Sequence, residues 1–82
     1  MMDTSLLWSN ILEKIKSEIN SLAFQTWFEE TELYDLKNGI ARIIVPYPMH
    51  KKHILSNYQD TLHNYFLELP FNYTISFESL LL

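Results

Sequence analysis

The sequence predicts a small α+β domain of order α-α-β-β-α-β, a three-stranded sheet packed against helices, and three observations predict it. From Leu6 to Phe28, LLWSNILEKIKSEINSLAFQTWF, apolar residues recur at helical spacing and are interrupted once, at Asn20-Ser21. Asn38-Gly39, which holds the only glycine of the chain, separates two runs of strand-forming residues. Between Pro46 and Pro70 a second helical periodicity appears, followed by the alternating Asn72-Tyr73-Thr74-Ile75-Ser76-Phe77. An alternation of this kind implies helices laid on a small sheet around one core.

Each element has its own reason. The first helix, about residues 4–20, starts at Asp3-Thr4-Ser5, where a short polar side chain can accept from free backbone N–H groups. Leu7, Trp8, Ile11, Leu12, Ile15, Ile19 and Leu22 fall on one arc, with Ser9, Asn10, Glu13, Lys14, Lys16, Ser17 and Asn20 opposite. The second helix, about 22–29, is too short to stand alone and must be held by packing through Phe24 and Phe28, one turn apart. Strands follow at about 32–36 and 40–45, and Arg42 in the second implies that Ala41, Ile43 and Val45 face the core. Pro46-Tyr47-Pro48 ends that strand, and Pro48 suits the first position of a third helix, about 48–67. That helix presents Ile54, Leu55, Tyr58, Leu62, Tyr65 and Phe66, and Pro70 closes it. The third strand is expected at 72–77, and its neighbours in the sheet stay open, because period-two patterning fixes only the buried face. The terminal Leu80-Leu81-Leu82 reads as a truncation point or a folded-back edge.

Size and composition bound the function. Eighty-two residues, 48% hydrophobic and 15% aromatic, make one domain with a core of its own; a chain of this size buries about 60–65% of the surface that it exposes unfolded. The absence of cysteine excludes a disulfide framework and a thiolate metal site, and fits a reducing compartment. MMDTSLLWSN lacks the basic start and apolar run of an export signal, and no stretch approaches the roughly 20 apolar residues of a membrane span. The expectation is a soluble cytoplasmic protein without a membrane partner. With net charge −4 and only six Lys and Arg, the chain is poorly equipped to displace counterions from phosphates.

Candidate chemistry is sparse. His50 and His53 sit three apart on a predicted helix, with His63 further on, but no motif supplies the remaining ligands of a closed metal site. They read as surface histidines, and no metal is expected. Glu29, Glu30, Glu32 and Asp35 read as solvated carboxylates rather than an acid–base pair. Glu29-Glu30 at a helix C-terminus opposes the helix dipole and leaves room for a basic partner. One glycine excludes a phosphate-binding loop. No catalytic constellation appears, so neither enzyme activity nor a cofactor is expected.

Met49-His50-Lys51-Lys52-His53 is more informative. Cations in the first turn of a helix oppose its dipole, by about 0.3–1 kcal/mol each at an exposed site. Two readings stay open: a solvated face whose cost salt screens, or a patch seeking acidic side chains or phosphate, with Tyr47 and Met49 as its apolar centre. Periodicity places Trp8 and Trp27 in the core, but two alternatives stay open: Trp8, in the first turn, can overhang the domain and meet another molecule, and the Trp27 N–H can reach the surface.

The early Leu7-Trp8, the element Phe24-Gln25-Thr26-Trp27, the turn Asn38-Gly39, the strand end Ile44-Val45-Pro46 and Tyr58, in this order and spacing, resemble the N-terminal domain (domain I) of the bacterial chromosomal replication initiator DnaA. The resemblance covers essentially the whole chain. It implies a KH-like fold and a non-catalytic role in initiation: self-association, recruitment of the replicative helicase or its loader, and docking of regulators. It implies that Trp8 serves self-association from an exposed position. It also implies that Ala23, Thr26, Trp27 and Met49, with Lys52 and His53 beside them, form a partner-binding surface. Two departures stand out: Tyr47-Pro48-Met49 replaces the Asn-x-Phe group of many relatives, and Ala23 lacks the acidic side chain that some place there. The ATPase and duplex-binding domains of a full initiator are absent, so the chain reads as a fragment of a longer protein. The alternative is a KH-like single-stranded nucleic-acid module contacting anions through Tyr47, Lys51 and Lys52. It lacks the Gly-x-x-Gly loop that KH recognition uses, so binding of single-stranded DNA is expected to be weak at most.

Overall fold

The computed structural model describes residues 3–69 and 73–79. Its elements are α1 (Thr4–Glu18), α2 (Ser21–Trp27), β1 (Glu32–Lys37), β2 (Ile40–Val45), α3 (Pro48–Asn57), α4 (Gln59–Leu67) and β3 (Thr74–Ser79). The α+β architecture is as expected, but the predicted third helix is two helices. Asn57 donates from Nδ2 to the carbonyl of His53 at 3.0 Å, competing with the helical backbone for that acceptor. Tyr58 then leaves helical geometry, at φ −128° and ψ 11°. The break turns its ring onto Phe28, centroids 5.2 Å apart at 70°.

Smaller shifts have local causes. The first helix ends at Glu18, because Ile19 is extended and the Oδ1 of Asn20 caps α2 by accepting from the Ala23 N–H at 2.8 Å. Asp3 caps α1 in the same way, accepting from Leu6. The interruption resets the helical phase, so Leu22 leaves the apolar arc and stands 73% exposed. The third strand runs two residues later than expected. Asn72, Pro70 and Leu80-Leu81-Leu82 lie outside the described residues.

The sheet has the order β1-β2-β3. Asn38 and Gly39 both take positive φ, 56° and 73°, as a two-residue hairpin turn of this hand requires. A bulge between Leu33 and Asp35 leaves Tyr34 unpaired and shifts the phase of β1. Leu33 thereby faces Ile43 and Leu36 faces Ala41, both toward the core, while the Asp35 carboxylate lies 3.8 Å from Arg42 on the open face. β3 pairs with β2 in parallel, Ala41 beside Ile75 and Ile43 beside Phe77. Parallel neighbours need a long crossover, and α3 with α4 supplies it. Ala41, Ile43 and Val45 are fully buried, as the position of Arg42 implies.

Trp8 is a correction to the exposure implied by resemblance. Its side chain is 4% exposed and packs on Phe66, with centroids 6.5 Å apart. Its Nε1–H donates to the Thr31 hydroxyl at 3.1 Å, and that hydroxyl donates to the Phe28 carbonyl. Burying an indole requires an acceptor for its N–H, and Thr31 is that acceptor. The core assignment from periodicity holds.

Tyr65, on α4, has a hydroxyl oxygen shielded from water and without a hydrogen-bond partner of good geometry among the described residues. Burial first, and then the Glu18 carboxylate that it faces and the charge of Glu68, push it up to about 12 from 10.0. The fold therefore favours the neutral hydroxyl. This contribution is complete below pH 10 and is lost as the pH rises through about 12. Tyr65→Phe is expected to make the alkaline fall of stability shallower across that window, which urea denaturation at a series of pH values would measure.

Candidate docking surface

The last turn of α2 and the start of α3 build one surface. Trp27 ends α2 half-buried, and two histidines from α3 hold its indole. The His53 ring stacks on it, centroids 3.7 Å apart and planes within 9°. His50 approaches at 5.4 Å and 71°. Residues three apart on a helix share a face, so Pro48 as helix start and the spacing of His50 and His53 suffice to grip the indole. Tyr47 stacks on His50 at 5.8 Å, and His53 meets Tyr58 at 5.9 Å. A run of rings, Tyr47–His50–Trp27–His53–Tyr58, thus leads from the surface to Phe28 in the core. The reading of His50 and His53 as plain surface histidines is corrected: both are half-buried packing groups, and the Nδ1 of His50 is buried without a partner among the described residues. His63 alone of the three is exposed.

Beside this run lies a cleft of about 270 Å³, lined by Trp27, Met49, Lys52, His53, Ser56 and Asn57. Met49 is 68% exposed at its edge, and Tyr47 is 52% exposed nearby in the chain. The structure therefore joins four of the expected residues, Trp27, Met49, Lys52 and His53. Ala23 and Thr26 occupy α2 within one turn of Trp27 but do not line the cleft; the Thr26 hydroxyl donates to the Leu22 carbonyl at 2.7 Å. No motif marks Ser56 or Asn57 in the sequence, although Asn57 stands one turn from His53, to whose carbonyl it donates. Lys51 lines a different cleft, about 520 Å³, with Ile40, Arg42, Leu55 and residues of β3. The anion contact expected of Tyr47, Lys51 and Lys52 is thus not gathered into one groove.

Trp8 belongs to another part of the surface. Its edge lines a cleft of about 350 Å³ with Ser5, Ser9, Leu12 and the segment from Glu29 to Leu33. Leu6, two residues before it, is 60% exposed. Among the described residues no three His, Cys, Asp or Glu side chains come together to hold a metal ion. No helix there is long and apolar enough to cross a membrane.

The family model of the DnaA N-terminal domain matches residues 5–68. The chain is 30% identical over 69 residues to the chromosomal replication initiator protein DnaA of Thermodesulfovibrio yellowstonii, covering 84% of this chain and 16% of that protein. It is 33% identical over 63 residues to DnaA of Microcystis aeruginosa, covering 74% and 14% of the two chains. With DnaA of a Nostoc species the identity is 31% over 58 residues, covering 71% and 13%. The chain spans less than one-fifth of the length of these curated relatives.

Proposed function

The chain belongs to the DnaA N-terminal domain family, and on that premise we propose that it is a non-catalytic protein–protein interaction domain of a cytoplasmic bacterial replication initiator. The surface between α2 and α3 docks the replicative helicase, its loader or a regulator of initiation. One observation carries this reading: Met49, a large apolar and adaptable side chain, stands 68% exposed at a cleft walled by Trp27. Interfaces draw most of their affinity from a few such side chains set in a water-excluding rim. Here Lys52, His53, Ser56 and Asn57 supply the rim.

Weak self-association is part of the proposal. Trp8 supports it from beneath, by holding the N-terminal turns of α1 in place under exposed Leu6.

Met49→Ala tests the docking surface. An exposed substitution leaves stability within about 0.5 kcal/mol, while loss of an interface anchor costs more than about 1.4 kcal/mol, or tenfold in affinity. Calorimetric titration of the replicative helicase against both forms is expected to show that loss with an unchanged thermal midpoint. Unchanged affinity removes the surface from consideration, and a lost thermal transition shows Met49 to be core.

A further inference from the structure

We propose that the partner segment received by this surface is acidic: an apolar side chain seats over Met49 and Trp27, and flanking carboxylates meet Lys51, Lys52 and His53. The inference rests on the docking role proposed above and adds the chemistry of the occupant. Its basis is the distribution of charge. The chain holds ten Asp and Glu against six Lys and Arg, yet neither Ser21–Trp27 nor Pro48–Asn57 contains a single carboxylate. The face is a basic island on an acidic protein.

Two of the other four cations have a carboxylate partner, whereas Lys16 and Lys37, like the lysines here, form no ion pair among the described residues. Lys14 is bonded to Glu68 at 2.9 Å, and Arg42 lies 3.8 Å from Asp35. Lys51 and Lys52 form no ion pair among the described residues. They also stand near the start of α3, against its dipole, with no acidic residue in the first turn to offset them. Carboxylates brought by a partner relieve both conditions. A phosphate backbone fits less well. It would meet a net charge of −4, and two lysines are too few to displace counterions along a track.

The test uses the 82-residue chain, the double variant Lys51→Glu with Lys52→Glu, and two probes: the replicative helicase and an oligothymidylate. Both lysines are exposed, so the double variant is expected to keep its thermal midpoint. It should lose about tenfold or more in helicase affinity, and native binding should weaken with added salt. Glu29→Lys with Glu30→Lys, away from the cleft, should leave helicase binding intact. Two results overturn the acidic partner. One is a double variant that binds helicase as the native chain does; the other is a loss confined to the oligothymidylate. If Met49→Ala still weakens helicase binding in either case, the docking surface survives and only its charge complementarity falls. If Met49→Ala is without effect, the docking role itself fails.

Discussion

Phe28→Ala is expected to cost the domain a large share of its stability. Phe28 is 1% exposed and closes the space between α2 and the break after α3, with Phe24 at 6.4 Å and Tyr58 at 5.2 Å. Truncating a buried phenylalanine costs about 3–5 kcal/mol, because the hole collapses only in part. A domain of this length has a total stability of about 4–12 kcal/mol, at the usual 0.05–0.15 kcal/mol per residue. One substitution thus consumes from about a quarter of that margin, where the total is about 12 kcal/mol, to all of it, where the total is about 4 kcal/mol. Circular dichroism during urea denaturation should place the midpoint of the variant well below that of the native chain. Phe28→Leu, which keeps most of the volume, should retain a cooperative transition. A fall of only a few degrees in Phe28→Ala would show that the site repacks, and that the ring run ending at Tyr58 is not what holds α2 in place.

Thr31→Val has the next largest expected effect, for a different reason. Valine matches threonine in shape, so packing around the site stays. What is lost is the acceptor for the Trp8 N–H, which lies 3.1 Å from the Thr31 hydroxyl inside the fold. A buried donor left without a partner costs about 1–3 kcal/mol. The Phe28 carbonyl keeps the Thr31 backbone N–H as a donor at 3.0 Å, so only one group is orphaned. In a domain of this size the thermal midpoint falls about 4–8 °C per kcal/mol. Thr31→Ser restores the hydroxyl and should recover most of the loss. A valine variant as stable as the native chain would mean that the indole N–H finds water instead.

Patterning carried the fold because most of the core follows simple periods. Ile11 and Ile15 obey helical spacing; Ala41, Ile43 and Val45 obey strand spacing; Asn38-Gly39 admits one sharp reversal. Strand neighbours were illegible, since a parallel β2–β3 pair depends on where the crossover returns and not on any residue of either strand. The break at Tyr58 was hidden for another reason. Ile54, Leu55, Tyr58 and Leu62 fit one continuous helical period, and the competitor was a side-chain hydrogen bond from Asn57. At the candidate site, resemblance named Ala23, Thr26, Trp27, Met49, Lys52 and His53 together, and the cleft contains the last four but not Ala23 or Thr26. It also implied an exposed Trp8, where the periodicity of α1 and the acceptor at Thr31 put the indole inside. The stacking of His50 and His53 on Trp27 escaped the sequence because the partners lie on different helices, and spacing speaks only within one.

The interruption after α3 divides labour between neighbouring segments. Of the ten residues of α3, Ile54 alone is buried, whereas α4 commits Leu62 and Phe66 to the interior. Selection can therefore rewrite the exposed positions Met49, Lys51, Lys52 and Ser56 of α3 while Ile54 moors it and His50, His53 and Leu55 pack beside it. On the docking role proposed above, a designer seeking a new specificity would randomise those four exposed positions first.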